Sequence, residues 1–310
     1  MTNKYIYSIV LPILIKDFYP QSRIINPSFS AYFSSPAHPG YAVKRLKEKA
    51  IYMKIPSIVE MLQAGVHFGH QVSRWHPKME EYIFTERNGV HVIDLEKTKV
   101  KLEETLEAVR AMAAEGKEIL FITTKPQARE IVREAAISCE SPYLVERWMG
   151  GLLTNFDELK KLFKKYNGLK EQQANGELEK YTKQEQSKIT KDLEKMEKTL
   201  AGLSYLEKMP EALFVPSVQR EKTAVDEANK TGVPIIGICD TNANPEKAEY
   251  VIPANDDAVN AIKLMVGLVA EAIKEGKEEF KKKEPVKKAP VMMKKTVRPE
   301  KSDRRGLDWN

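Results

Sequence analysis

Short apolar runs alternate with amphipathic stretches of helical period through most of this chain. That alternation restricts the fold more than any other feature. Residues 119–123, 143–145, 212–215, 234–239 and 250–252 read as strands. Between them lie helices with recognisable starts and faces. Asp94 can cap a helix that places Leu95, Leu102, Leu106, Val109 and Met112 on one side. Thr124 and Gln127 are spaced as a capping box, with Pro126 tolerated in the first turn of a helix running to about Ala136. Another helix ends at Lys230 before Gly232. The last is capped by Asn255 or Asp256, turns Val259, Ile262, Val266, Val269 and Ile273 inward, and stops at Gly276. Strands alternating with helices predict a parallel sheet covered on both faces, joined by right-handed crossovers. Ahead of this pattern, Ser57 and Glu60 form a capping box for a helix that Gly65 closes. Residues 82–84 and 90–93 read as short strands, with Asn88-Gly89 as a tight turn of positive φ between them.

Residues 156–208 break the alternation. Phe156, Leu159, Phe163, Tyr166 and Leu169 lie at helical spacing, and Thr182 with Glu185 starts a second helix after Asn175-Gly176. Ile189, Leu193, Met196, Leu200 and Leu203 then recur in a heptad seam. A narrow apolar stripe with a Lys/Glu exterior predicts an antiparallel coiled-coil hairpin with solvated outer faces. At about 1.5 Å per residue each arm is roughly 25–40 Å long and projects from the sheet domain. The expected organisation is an α/β domain over residues 53–155 and 209–276, a coiled-coil hairpin insertion at 156–208, an extension at 1–52 and a basic disordered tail at 277–310.

The formal charge of +6 is unevenly spread. Residues 277–310 hold 12 Lys/Arg against 6 Asp/Glu, and residues 1–52 hold 7 against 2. The segment between them has 31 basic and 36 acidic residues, a net of −5. Basic ends suit a polyanionic partner, while an acidic body confines any nucleic-acid contact to local patches. The tail has Pro285, Pro290 and Pro299 and little apolar periodicity, so it is expected to order only on RNA. The two cysteines, Cys139 and Cys239, form no metal or disulfide framework and read as buried thiols of a reducing compartment. The apolar run at residues 5–15 is shorter than the about 20 residues a membrane span needs. It resembles the apolar part of a leader, and 1–52 is acid-poor like a transit peptide; the stronger expectation is a mature start at or near Met53, before the capped helix.

A covered parallel sheet invites a nucleotide-enzyme reading, which the turns reject. Thr123-Thr124-Lys125-Pro126-Gln127 and Asp240-Thr241-Asn242-Ala243-Asn244 contain no glycine to admit a pyrophosphate. No Gly-Lys-Ser/Thr phosphate loop occurs, and Gly150-Gly151 lacks the strand–glycine–helix context. His67, His70 and His76 have no nearby cysteine, and backbone or phosphate hydrogen bonds account for them without a metal. No nucleophile has an activating context, so no catalytic residue, cofactor or metal is expected. RNA contact fits better. Arg74, Trp75 and Lys78 combine cations with a stacking ring, Arg87 and Asn88 sit at a hairpin tip, and Lys97 opens a helix. Arg147 and Trp148 repeat the Arg-Trp pair, and Thr154 with Asn155 stands at a helix N-terminus suited to phosphate. Trp148 can equally plug the base of the hairpin.

These residues carry a family resemblance. Gly65-Val66-His67-Phe68-Gly69-His70, Trp75-His76-Pro77-Lys78-Met79 and the run from Arg87 through Thr98 resemble the opening of the bacterial small-subunit ribosomal protein two family. Arg147-Trp148-Met149-Gly150-Gly151-Leu152-Leu153-Thr154-Asn155 is similar to its central motif. Pro210-Glu211-Ala212-Leu213-Phe214-Val215, Asp240-Thr241-Asn242 and the run from Ile252 through Ala258 are similar to its later ones, with Ala254 replacing a frequent glycine. The resemblance covers 53–276. It implies a flavodoxin-like three-layer sandwich with a protruding coiled-coil hairpin, a place between head and body of the small subunit, binding to small-subunit ribosomal RNA, and help in recruiting ribosomal protein one. It implies no catalysis. No membrane partner and no homo-oligomer are expected, and a cytoplasmic rather than organellar ribosome is the expected location.

Overall fold

The computed structural model describes residues 55–283; the expectations for 1–52 and for most of the tail lie outside the described residues. Five strands, β4 (Ile119–Ile122), β5 (Tyr143–Leu144), β6 (Ala212–Val215), β7 (Ile235–Cys239) and β8 (Tyr250–Pro253), form a parallel sheet in the order β5-β4-β6-β7-β8. Counted by appearance within this sheet the order is 2-1-3-4-5, the arrangement of flavodoxin-like folds. Three further strands, β1 (Phe68–Gln71), β2 (Ile83–Arg87) and β3 (Val90–Ile93), make a separate antiparallel sheet in the order β1-β3-β2. Asn88 and Gly89 turn β2 into β3 at φ 53° and 73°.

Alternation along the parallel strands feeds two cores. Phe121, Phe214, Ile236, Ile238 and Ile252 point to one face. There they meet α1 (Ile58–Gln63), α2 (Leu95–Ala114), α3 (Pro126–Ser138) and α7 (Val259–Lys283). The predicted inward positions of α2 and α7 are all buried, except Val259, which is exposed at the first turn. Leu120, Ile122, Leu213, Val215, Ile235 and Cys239 point the other way, toward α6 (Lys222–Thr231), Trp148 and Leu152. The same core takes in Phe163 and Tyr166 of α4 (Phe156–Ala174) and Leu193 and Leu200 of α5 (Lys183–Leu200), two helices inserted between β5 and β6. Both cysteines are buried and free.

Two local expectations are corrected, and a third position is settled. Thr124 does not cap α3: its N–H and hydroxyl both donate to Glu221 Oε1, at 2.6 and 2.8 Å, and the cap position passes to Lys125 with no side-chain bond. The buried Glu221 carboxylate takes both Thr124 donors and holds that residue one position ahead of the cap, so its hydroxyl oxygen does not face the first-turn N–H groups. Gly276 does not end α7, which continues to Lys283. A Cβ on Gly276 would lie 2.5 Å from both Ala113 Cβ and Arg110 O, so the glycine serves close passage of α7 over α2. Ala254 stands in a turn without positive φ, buried, with its N–H donating to Cys239 O at 3.2 Å; the family's frequent glycine is not needed there.

Candidate functional site

In open α/β sheets the ligand crevice lies outside the carboxyl ends of the strands, where the strand order reverses. Here that edge is filled by the chain itself. Lys125, after β4, places Nζ 2.9 Å from Asp256 Oδ1 and 2.6 Å from Asp257 Oδ1. Ser217, after β6, donates to Asp256 Oδ2 at 2.5 Å. Burial alone would lower the Lys125 pKa, but the Asp256 and Asp257 charges outweigh it and raise it. Burial, followed by the neighbouring Asp240, pushes the Asp256 carboxyl up.

The segment from Gly65 to His76 lies over the ends of β7 and β8. His70 N–H donates to Thr241 Oγ1 at 2.9 Å, and His76 N–H to Thr241 O at 2.7 Å. Asn255 Nδ2 donates to Gly65 O and its backbone N–H to Val66 O, both at 3.0 Å. Gly69 passes so close that an added Cβ would stand 2.6 Å from Thr241 Cγ2 and 2.9 Å from His91 O. The motifs Asp240-Thr241-Asn242 and Asn255-Asp256-Asp257 therefore fasten the N-terminal segment. His70 Nδ1 lies 3.1 Å from Asp240 Oδ2, and Nε2 lies 3.3 Å from Asp257 Oδ2. The Asp240 partner raises the His70 pKa against the opposing effect of burial. His70, Asp240 and Asp256 each offer a ligand atom, all within 4.8 Å of one another, and could hold a small cation. Among the three histidines weighed from the sequence, only His70 joins this group. His67 lies against Phe68 at 4.0 Å between ring centroids, and His76 Nδ1 accepts from Lys78 N–H at 3.3 Å.

The candidate RNA residues fall into two groups. Arg74, Trp75, Lys78, Arg87 and Asn88 belong to the β1–β3 region and are exposed. Val72 N–H donates to Gly89 O at 3.1 Å, which holds the Arg74-Trp75 turn near the Asn88-Gly89 tip. Trp75 packs its ring 5.4 Å from that of His91, a buried side chain whose two ring nitrogens have no partner among the described residues. Lys78 pairs with Glu246. Lys97, on the first turn of α2, lies 3.8 Å from Asp94 Oδ2 and donates to Glu81 O, so its ammonium is already engaged.

The second group follows β5. Arg147, Thr154 and Asn155 are exposed, but Trp148 is 9% exposed and its indole N–H donates to Glu227 Oε1 at 3.0 Å. Its ring belongs to the core below α4 and α5, the second role that its position allowed. Glu227, on α6, also accepts from Gly151 N–H at 2.9 Å, Leu153 N–H at 3.3 Å and Thr154 Oγ1 at 3.4 Å. Burial raises its pKa, yet the Trp148 and backbone donors outweigh burial and hold it below the usual carboxylate value. Glu227 was missed from the sequence because its donors, at 148–154, are brought to α6 only by the fold. A glutamate at an inward position of α6, beside Ala224 and Ala228, was the available signal.

No helix among the described residues is long and apolar enough to cross a membrane. The family model described as ribosomal protein S2 matches residues 61–276. The small ribosomal subunit protein uS2 of Dictyoglomus thermophilum is 49% identical over 219 residues, covering 71% of this chain and 89% of that protein. The filled crevice, the mutual bracing of the motifs and these two matches agree: this chain belongs to the ribosomal protein S2 family, whose members are structural, non-enzymatic constituents of the small ribosomal subunit.

Proposed function

We propose that this protein binds small-subunit ribosomal RNA through its β1–β3 region and the loop after β5, and that it supports recruitment of ribosomal protein one on cytoplasmic ribosomes. The observation that carries the reading is the exposed group of Arg74 and Trp75, in the turn after β1, with Arg87 and Asn88 at the β2–β3 tip, in a region whose leading segment is hydrogen-bonded to Thr241 and Asn255 at the sheet edge. Arginine can grip a phosphate with two bonds or stack on a base, and the half-exposed Trp75 offers a stacking face. Arg147, Thr154 and Asn155 add a second contact, held in shape by Trp148 and Glu227. Lys78 and Lys97 contribute charge at the margins. In this reading α4 and α5 pair as a short antiparallel coiled coil, supported by the buried Phe163, Tyr166, Leu193 and Leu200 and by the Lys170–Glu197 contact at 3.3 Å. The basic tail adds attraction that does not depend on sequence.

The test pairs occupancy with stability. Arg74→Ala, Arg87→Ala and Arg147→Ala proteins are added to small subunits lacking this protein, and occupancy is read by sucrose-gradient sedimentation. Each loss of a charge-assisted contact is expected to cost on the order of 1.5–3 kcal/mol of binding while leaving melting of the free protein unchanged. Full occupancy of all three variants overturns the reading.

A further inference from the structure

We propose that the outward side of α5 is a second ribosomal-RNA surface, in which Lys188, Lys191, Lys195 and Lys198 lie along a phosphate backbone; this deepens the function proposed above and rests on it. The four lysines follow one another in steps of three, four and three residues. At 3.6 residues per turn they fall within an arc of roughly 80°, about 150° from the apolar seam. Burial agrees with that placement. Leu193 and Leu200 are buried and Ile189 and Met196 half-buried on the inner side, whereas all four lysines are exposed, Lys195 at 80%.

The carboxylates of the helix stand off this line or are engaged; exposed Glu194 lies about 40° beyond Lys198, outside the lysine arc and without an ion pair among the described residues. Glu185 accepts from the Thr182 N–H and hydroxyl at 3.0 and 2.9 Å. Glu197 pairs with Lys170 across the two helices, and Asp192 lies 3.9 Å from Lys195. Among the described residues no carboxylate comes within ion-pair distance of Lys188, Lys191 or Lys198. A helix that needs only solubility interleaves its charges and pairs them three or four residues apart. This one collects a single sign on a rigid line about 15 Å long, at about 1.5 Å of rise per residue. No aromatic or apolar side chain shares the line. The fit is to a regular polyanion held by point charges, without reading of bases. An acidic protein surface lacks that regular spacing and is distinguished by the test.

Binding of the full-length protein to purified small-subunit ribosomal RNA is measured across a salt titration. Three proteins are compared: the parent; one with Lys188→Gln, Lys191→Gln, Lys195→Gln and Lys198→Gln together; and one with four exposed lysines elsewhere exchanged, Lys222→Gln, Lys230→Gln, Lys263→Gln and Lys274→Gln. Each phosphate contact contributes about 0.7–0.9 to the slope of log affinity against log salt, so the first variant is expected to be shallower by about 3 and the second to match the parent. Equal melting temperatures establish that both variants are folded. An unchanged slope in the α5 variant, or the same change in both variants, overturns the α5 surface while leaving RNA binding itself intact. A parent protein whose RNA binding does not depend on salt overturns both the surface and the reading beneath it.

Discussion

Glu227 is a single carboxylate that replaces water for four donors, and its removal tests how much of the loop after β5 depends on it. Glu227→Gln keeps one carbonyl oxygen but presents an amide N–H₂ to donors that need an acceptor. Destabilisation of about 1–3 kcal/mol is expected, measured by chemical denaturation. The pH dependence follows from the same bonds. The folded carboxyl titrates below its ordinary value, so its contribution is fully present above the unfolded pKa and is lost as pH falls through the folded one. Below about pH 5 the parent is therefore expected to lose stability more steeply than Glu227→Gln. Parallel curves for the two proteins over that range would exclude this role. Such a site is hard to read from sequence, because its donors at 148–154 lie more than 70 residues away and only the fold brings them to α6. The exposure of Arg87 and Asn88 was legible because a hairpin tip exposes its own residues whatever the rest of the chain does.

Helices declare their faces through local period, and the long ones were legible for that reason. Their ends were less so. The Ser57 and Thr182 boxes formed because both partners of each lie within one turn. The Thr124 box did not, because Glu221, at the N-terminus of α6, takes the Thr124 donors. Gly276 shows the same limit: glycine signals a helix stop when read locally, but here it marks where α7 meets the backbone of α2. Two glycines of one helix give a paired prediction. Gly276→Ala forces the two helices apart and is expected to lower the melting temperature by several degrees. A Cβ on Gly267 would meet nothing within 4 Å, so Gly267→Ala is expected to raise stability by about 0.5–1 kcal/mol through helix propensity alone. Thermal melts of the two variants beside the parent decide it; equal effects of the same sign would remove the close-packing account of Gly276.

At the scale of the whole molecule, the parallel, covered sheet followed from strand–helix alternation, whereas its strand order and the seating of the β1–β3 region did not. Its bonds to the sheet join residues separated by 171 and 190 positions, beyond the reach of any periodicity. Asn255→Ala removes the bond to Gly65 O together with the acceptor for the N–H groups of Asp257 and Ala258. Amide exchange over residues 65–76 is expected to speed up in this variant before exchange in β4, β6 and β7 does, because the segment opens locally while the sheet stays closed. Uniform acceleration throughout the sheet would contradict that order. The same long-range bonds set a sequence of events during synthesis. Residues 65–76 leave the ribosome early, but their acceptors on Thr241 and their donors on Asn255 are made more than 160 residues later. The segment that carries Arg74 and Trp75 therefore waits, unseated, until β7 and β8 exist, and closing so wide a loop is a late step. A chain halted before Asp240 presents Arg74 and Trp75 without the frame that orients them, so the RNA contacts proposed for them require that nearly all of the sheet domain has been made.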